Sequence, residues 1–252
     1  MRFCSIGSGS KGNGTLVSAG STTLLIDNGF TLKEFENRLA QKGLTPLDLT
    51  AVLITHEHGD HIKGVGPLAR KYKVPVYCSH GTAMFDGLGS IPSLRVLNSH
   101  EPLALQDILV TPVVVPHDAK EPTQFVLQSG GHKLGILTDL GSLTPHILKE
   151  YDDCHALLLE TNHDPQLLQM GPYPPKLKAR VGGPLGHLSN AQAAQFLHSV
   201  NHDNLKYLVA THISEQNNDR TKAIAAISEP FDWSEDFVIM ADQEKGFDWC
   251  EL

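Results

Sequence analysis

The sequence predicts a layered α/β fold in one domain, residues 1–252, and three observations lead to this fold class. Short apolar runs that indicate buried strands alternate with capped, helix-like segments, as in layered α/β proteins. Several of these runs end directly on a histidine or an acidic residue. The length of 252 residues is sufficient for a single domain with a substantial buried core.

Composition limits the class of protein and its compartment. The four cysteines are scattered without a C-x-x-C pair, which predicts reduced thiols in the core. No apolar run is long enough to cross a membrane. Residues 1–7 lack the apolar stretch of a signal peptide and predict a first strand. We therefore expect a cytoplasmic protein with no membrane partner.

The charge of the chain does not decide its partner. A formal net charge of −8 argues against a purely electrostatic attraction to nucleic acid. Two divalent cations in one site would, however, add about four positive charges where a phosphate binds. Two local clusters are basic, although such clusters are also typical of solvated helix faces. They are Lys63, Arg70, Lys71 and Lys73, and Lys176, Lys178 and Arg180.

The first elements can be placed from local signals. Residues 8–14 are rich in glycine and small hydroxyls, which suits either a phosphate-binding loop or a tight hairpin between two strands. Thr22–Ile26 predicts a strand that ends at Asp27. Residues 31–34 have the form of a capping box, and Gly43 marks the end of the helix that they begin.

The next strand ends in the densest cluster of metal-ligand residue types in the chain. Residues 51–54 are apolar and precede the pattern H-x-H-x-D-H at His56, His58, Asp60 and His61. Imidazole and carboxylate are ligands of zinc, manganese and iron. The first two histidines can converge on one ion, and Asp60 and His61 point to a second. A histidine-rich surface loop would need no metal, but it has no reason to show this spacing after a strand.

Later strands repeat the same arrangement. Residues 62–72 predict a helix and residues 74–78 a strand. Four further segments are each followed by a potential ligand: 110–115 before His117, the hairpin 123–138 before Asp139, 156–159 before Glu160, and 205–210 before His212. Ser189, with Gln192 three residues later, predicts the start of a helix. The carboxyl ends of these strands are expected at one edge of the sheets.

These residues resemble the successive motifs of the metallo-β-lactamase superfamily. The resemblance implies a four-layer αββα sandwich with two divalent metal ions at one edge of its two sheets. The candidate metals are zinc and manganese, followed by iron. The resemblance also implies that His56, His58 and His117 hold the first ion. It implies that Asp60, His61 and His212 hold the second, that Asp139 bridges the two, and that Asp27 braces the histidine loop.

The C-terminal half resembles the nuclease branch of this superfamily. Residues 160–164, 186–189 and 210–214 are similar in order and spacing to the branch that contains ribonuclease Z. Together with residues 8–13 and 171–180, they resemble the YycJ/WalJ-type small bacterial nucleases. Asp139 follows His117 by only 22 residues, too few for the tRNA-gripping arm of ribonuclease Z. The chain also leaves no room for the inserted domain of β-CASP nucleases, so tRNA processing is disfavoured.

The resemblance implies a metal-dependent hydrolase that cleaves the phosphodiester bonds of DNA as an exonuclease. Two adjacent divalent ions lower the pKa of a bridging water and clamp phosphate oxygens, so that the bridging hydroxide attacks the phosphodiester. Asp60 is the candidate that orients the water or accepts its proton. His187 and Glu160 are the candidate acid pair, His187 donating to the leaving oxygen. An ordinary strand-end carboxylate and a helix-start histidine remain the alternatives for this pair.

Substrate contacts are predicted less directly, since structural roles fit many of the same residues. The candidates are Ser8, Ser10, Asn13, Asn162, His163, Tyr173, Lys176 and Arg180. The main alternative function is a glyoxalase-II-like thioesterase or lactonase, which uses nearly the same metal ligands but assigns no role to His187 or Glu160. A binding protein that has lost turnover is a third function, opposed by a ligand set with no substituted position.

Overall fold

Two β-sheets of seven strands each form the centre of the computed structural model, which describes residues 1–252. The strands, in chain order, are β1 Arg2–Gly7, β2 Gly14–Ala19, β3 Thr22–Ile26, β4 Ala51–Leu53, β5 Val76–Cys78, β6 Leu94–Val96, β7 Leu103–Leu105, β8 Ile108–Val114, β9 Thr123–Ser129, β10 His132–Leu137, β11 Ala156–Glu160, β12 Tyr207–Thr211, β13 Val238–Met240 and β14 Phe247–Glu251.

Nine helices lie outside the sheets. They are α1 Leu32–Gln41, α2 Gly59–Ile62, α3 Val65–Tyr72, α4 His80–Ala83, α5 Pro145–Glu150, α6 Pro165–Met170, α7 Pro175–Val181, α8 Asn190–Ser199 and α9 Arg220–Ser228. Short 3₁₀ turns occupy Pro46–Asp48, Asp86–Leu88, Glu229–Phe231 and Glu235–Phe237. None of these helices combines the length and the apolar character that crossing a bilayer requires.

Strand direction explains why the predicted ligands gather at one edge. The first sheet has the order β14-β1-β2-β3-β4-β5-β6, and the second has the order β13-β12-β11-β10-β9-β8-β7. In both sheets an antiparallel half continues into a parallel half, β3 to β6 in the first and β10 to β13 in the second. Parallel strands bring their carboxyl ends to the same edge, and ligand sites form there.

Two groups of buried side chains fill the layers. The larger group, of 40 residues, lies between the sheets and under α1 and α3, where Phe35 and Leu68 are fully buried. The second group, of 22 residues, lies between the second sheet and α5, α8 and α9, with Ile147, Phe196 and Ile227 at its centre. Each such side chain contributes about 1.5–3 kcal/mol on burial. The order of layers is helix, sheet, sheet, helix, and the predicted αββα fold is confirmed.

Local structure departs from the prediction after the H-x-H-x-D-H motif. The helix predicted over 62–72 is two helices, α2 and α3, separated by Lys63 and Gly64. A Cβ atom on Gly64 would lie 2.1 Å from the carbonyl oxygen of Phe30. The chain breaks the helix here because the loop that carries Phe30 packs against its backbone.

The capping box predicted at the start of α1 is only half formed. The Thr31 side chain accepts a hydrogen bond from the Glu34 amide at 3.4 Å. The Glu34 carboxylate does not return to the cap, because it pairs with Arg38 at 2.8 Å. The helix still ends as predicted, with Gly43 at a φ of +76° just beyond it.

The cysteines behave as core residues. All four are unpaired and buried. Burial raises the pKa of Cys4, Cys78 and Cys154 to about 12, so these thiols remain protonated and unreactive at neutral pH.

Candidate metal centre and active site

Three residues that follow strands at the site adopt left-handed backbone conformations. The φ angles are 62° at Asp27, 53° at Asp139 and 50° at His212, and they follow β3, β10 and β12. Non-glycine residues seldom occupy this region, and such strained positions cluster at functional sites. The sharp change of direction at each strand end keeps these side chains at the edge of the sheets.

The first group of ligand atoms contains three histidine nitrogens. Nε2 of His56 lies 2.9 Å from Nδ1 of His58, which lies 3.2 Å from Nε2 of His117. Burial lowers the pKa of His56 and of His117, which favours the neutral, ligating form. A tetrahedral zinc ion with bonds of about 2.0–2.1 Å places its nitrogen ligands about 3.3 Å apart. The spacing of these atoms fits a metal ion at their centre.

The orientation of His117 is fixed from behind. Its Nδ1 lies 2.9 Å from the carbonyl oxygen of Gly186, to which it can only donate a proton. Its Nε2 therefore carries the lone pair, on the side of His56 and His58. Such a backbone partner is typical of a histidine that binds a metal.

The second group of ligand atoms adds carboxylate oxygens. Oδ2 of Asp60 lies 3.5 Å from Nε2 of His61 and 3.7 Å from Nε2 of His212. Oδ2 of Asp139 lies 3.2 Å from Nε2 of His61, yet it is buried and accepts no hydrogen bond. A buried carboxylate oxygen without a partner is costly. A divalent cation held by Asp60, His61 and His212 and touching Asp139 would satisfy it.

The pKa shifts around Asp139 show the same excess of negative charge. Burial alone would lower the pKa of His212, but the charge of Asp139 and the hydrogen bonds that His212 donates to Asp139 and Glu160 outweigh it and raise the pKa to about 10. The pKa of His61 is also raised, against burial, chiefly by the charges of Asp139 and Asp60. Bound cations would balance the same carboxylates and displace these protons.

Asp27 and Thr55 support the histidine loop from the core side. Oδ2 of Asp27 lies 2.7 Å from Nδ1 of His61, and its two oxygens accept hydrogen bonds from the amide and hydroxyl of Thr55 at 2.8 and 2.7 Å. The Thr55 hydroxyl also lies 3.0 Å from Nδ1 of His56. Thr55 was not predicted, although its position between the strand and His56 is a usable signal.

Glu160 and His187 form a buried pair beside the ligands. Nδ1 of His187 lies 2.8 Å from Oε1 of Glu160, which is fully buried. Oε2 of Glu160 accepts hydrogen bonds from the amides of Leu140 and Leu188 at 3.1 and 3.0 Å. Burial raises the pKa of Glu160, but the charge and hydrogen bond of His187 lower it to about 2. The pair is therefore a carboxylate with a histidine whose Nδ1 carries a proton.

The loop between β1 and β2 supports the ligands more than it faces solvent. Ser8 and Asn13 are buried. The Ser8 hydroxyl accepts a hydrogen bond from the His212 amide at 2.9 Å, and Nδ2 of Asn13 lies 3.2 Å from Nε2 of His61. Ser10 is exposed and lines the cavities on both sides of the site. Of the three candidate substrate contacts in this loop, only Ser10 is freely accessible.

Three further candidate contacts lie on α7 or just before it, namely Tyr173, Lys176 and Arg180. Tyr173 lines a cavity of about 130 Å³ that also touches His187 and His212. Lys176 is exposed. Arg180 forms an ion pair with Asp118, whose Oδ1 lies 3.6 Å from Nε2 of His117 and 3.8 Å from Nε2 of His58.

Asp118 was not predicted as part of the site. Its position directly after His117 places it at the edge of the first ligand group. Its burial raises its pKa, but the hydrogen bond from Arg180 and the charge of His117 lower it overall. The carboxylate therefore stays ionised and holds the Arg180 guanidinium close to the metal ligands.

Asn162 and His163 occupy two different environments. Asn162 donates to the carbonyl oxygen of His212 at 2.9 Å and lines the 130 Å³ cavity. His163 is buried, and its Nδ1 has no hydrogen-bond partner. His163 lies beside a separate cavity of about 330 Å³ that includes Lys178 and Gly182 of the segment after Tyr173.

Comparisons with known proteins agree with this geometry. Residues 22–213 match the sequence profile of the Beta-lactamase superfamily domain. The chain is 35% identical over 233 residues to the exodeoxyribonuclease YycJ of Bacillus anthracis, covering 91% of this chain and 88% of that protein. It is 33% identical over 224 residues to the exodeoxyribonuclease WalJ of Streptococcus pneumoniae, covering 86% and 83%.

A solved structure shows the same fold at lower sequence identity. The metallo-β-lactamase fold protein YhfI from Bacillus subtilis superposes with a TM-score of 0.75 at 19% identity, and the match covers 99% of each chain. At this identity the likeness concerns the arrangement of sheets and helices alone.

Proposed function

The chain belongs to the metallo-β-lactamase superfamily as a metal-dependent hydrolase, and we propose that it hydrolyses the phosphodiester bonds of DNA from a chain end. The observation that carries this proposal is the Glu160–His187 pair beside the ligand groups. The His187 ring centroid lies 5.3 Å from that of His117 and 5.1 Å from that of His212. A proton donor at this place suits a reaction whose leaving group is an alkoxide.

The ligand groups suit two divalent cations, one at His56, His58 and His117 and one at Asp60, His61 and His212. The buried, unpartnered oxygen of Asp139 lies toward the second group. Bound cations would supply Lewis-acid stabilisation of the phosphate and a lower pKa for the attacking water. The mixture of imidazole and carboxylate ligands suits zinc, manganese or iron.

Asp60 and His187 divide the proton transfers between them. The Asp60 side chain is 23% exposed and accepts a proton from the attacking water, which forms the new P–O bond. His187 donates a proton from Nε2 to the leaving oxygen as the old P–O bond breaks. Glu160 keeps the Nδ1 proton of His187 in place through their 2.8 Å contact, so the proton that moves is on the side of the substrate.

Two features support action at a chain end. The cavity between His187, His212 and Tyr173 has a volume of about 130 Å³, room for the base of one terminal nucleotide but for little more. Arg180, held near the first ligand group by Asp118, offers a guanidinium to a phosphate once that pair opens. The relatives YycJ and WalJ, both named exodeoxyribonucleases, point the same way.

A gel assay with both ends of the substrate labelled tests the proposal. Linear duplex DNA, single-stranded DNA and RNA are incubated with the wild type, His58→Ala and His187→Ala in the presence of zinc or manganese. We expect progressive shortening of DNA by the wild type and its loss in both variants. Lys206 is exposed and directly precedes β12, at the end of that strand opposite to His212, and provides the matched control Lys206→Ala.

The same samples decide against the alternative. Absence of cleavage of every nucleic acid, with metal bound to the wild type by elemental analysis, would contradict the nuclease proposal. Hydrolysis of a thioester or lactone that is insensitive to His187→Ala would favour a glyoxalase-II-like activity instead.

A further inference from the structure

We propose that the groove beside Asp60, lined by Lys63 and Phe85, binds the single-stranded part of the DNA that continues beyond the nucleotide being removed. This inference rests on the proposed function and assigns to it a polymer-binding surface. The groove has a volume of about 640 Å³, and none of the predicted substrate contacts except Ser10 lines it.

The groove and the 130 Å³ cavity both border the ligand groups. Asp60 lines the groove, while His187 and His212 line the separate 130 Å³ cavity. Ser10 contacts both spaces. A phosphodiester at the ligands therefore borders both a small cavity and a larger, open groove. A strand that loses one nucleotide at a time needs this asymmetry.

The cations of the groove differ in how free they are. Lys63 is exposed and takes part in no ion pair, so its ammonium is available to a phosphate. Lys11, on the same wall as Ser10, is paired with Glu215 at 2.8 Å. Lys63, unlike Lys11, therefore does not have to break an ion pair in order to contact DNA.

Two carboxylates also line the groove, and both are engaged. Glu57 accepts a hydrogen bond from the Lys120 amide at 2.8 Å. Asp60 is directed at the metal ligands, 3.5 Å from Nε2 of His61. A hydrogen bond from a neutral amide leaves the charge of Glu57 in place, so a phosphate in the groove is attracted by Lys63 and repelled by Glu57.

Phe85 provides an aromatic surface of the kind that binds unpaired bases. Its ring is half-buried and lines the groove. The ring packs so closely against Gly87 that a Cβ atom there would lie 2.2 Å from Cε1 of Phe85. Nζ of Lys120 lies 5.9 Å from the ring centroid. A half-exposed ring that lines the same groove as an unpaired lysine matches the combination of stacking and phosphate contact that binds single strands without sequence preference.

The experiment compares Lys63→Ala, Phe85→Leu and the control Lys206→Ala on two substrates. One is a single-stranded oligonucleotide long enough to fill the groove, and the other is bis(p-nitrophenyl) phosphate, which has no nucleotide strand that continues beyond the scissile phosphate. KM and kcat are measured for both, and oligonucleotide binding is measured over a range of salt concentrations.

We expect Phe85→Leu to raise KM for the oligonucleotide about tenfold through the loss of one stacked base. Lys63→Ala should make the negative slope of log K against log salt shallower by about 0.7, the change expected when one phosphate contact to a single strand is lost. For both variants the increase in KM should be several-fold larger for the oligonucleotide than for the small diester, a difference that Lys206→Ala does not show.

Equal KM ratios for the two substrates, or a salt slope in Lys63→Ala that matches the wild type, would overturn the groove assignment. If the wild type hydrolyses neither substrate, the proposed function itself has failed. Hydrolysis of both substrates with unaltered KM in Lys63→Ala and Phe85→Leu refutes only the groove.

Discussion

Oε1 of Glu160 lies 2.8 Å from Nδ1 of His187, and this contact joins a fully buried carboxylate to a histidine whose side chain is 20% exposed. The carboxylate is anchored by the amides of Leu140 and Leu188 and cannot follow the histidine if it rotates. The imidazole is therefore held with one nitrogen committed to the interior and the other available at the surface of the site.

The first prediction concerns His187 as the proton donor. Replacement by alanine should lower kcat for DNA by about 10²–10⁴-fold, the usual contribution of a general acid. The loss should be much smaller for bis(p-nitrophenyl) phosphate, because its leaving group departs without a proton. Equal losses on both substrates would indicate that His187 acts on binding or on the metal ligands.

The second prediction concerns pH. Burial lowers the pKa of His187, but the charge and hydrogen bond of Glu160 outweigh it, so the pKa is raised above its ordinary value. An acid with a raised pKa is active below that pKa and loses its proton as pH rises through it. Glu160→Gln removes the charge, so the alkaline fall of kcat should move to lower pH.

This pH shift has its own controls. Glu229→Gln changes an exposed glutamate and should leave the profile in place. Because Glu160 also lies 3.2 Å from Nδ1 of His212, the metal content of Glu160→Gln must be measured beside its activity. A profile that stays unchanged at full metal content would exclude Glu160 as the group that sets the pKa of His187.

The third prediction concerns Asp27. Asp27→Asn keeps the size of the side chain and tolerates its left-handed backbone, but it removes the charge that contacts His61 at 2.7 Å. Metal affinity should fall about 10–100-fold, as for other partners behind metal-binding histidines. Competition with a chelator measures it, with the fully exposed Asp248 changed to asparagine as the control. Equal affinity in the two variants would contradict the bracing role.

The fourth prediction separates stability from activity. The Tyr151 hydroxyl donates to the carbonyl oxygen of Ile136 at 2.7 Å in the interior behind the second sheet. Tyr151→Phe removes this buried hydrogen bond and should lower the free energy of unfolding by about 0.5–1.5 kcal/mol. Denaturant unfolding measures the loss, and kcat should stay at the wild-type value. A matching fall in kcat would mean that the packing of β10 reaches the site.

Sequence reasoning was most successful where local order and topology agree. His56, His117 and His212 each come just after a predicted strand, and parallel strands must bring their carboxyl ends together. The order of the motifs therefore led to the ligand groups before any distance was known. The Glu160–His187 contact was also anticipated, although 27 residues separate its partners, because the resemblance to nucleases supplied the pairing.

Contacts between distant loops were not predictable in the same way. Asp118 and Arg180 are 62 residues apart, and no pattern in either segment indicates the other. Asn13 seemed available to a substrate because its loop is small and polar. Its side-chain Nδ2 instead donates to the carbonyl oxygens of Gly9 and Asp60 at 3.1 and 3.3 Å, and the contact with Asp60 depends on how the two loops pack. Short strands such as β6 and β13, of three residues each, carry too little alternation to be detected.

The left-handed conformations of Asp27, Asp139 and His212 place thermal stability and catalytic turnover in opposition. Each costs on the order of 1–3 kcal/mol, and glycine would relieve that strain at all three positions while removing a side chain of the proposed metal centre. Selection for thermal resistance alone should therefore accumulate glycine at the three positions where we expect selection for catalysis to oppose it. A laboratory evolution campaign on this enzyme must screen for both properties together, or it will enrich robust proteins that no longer react.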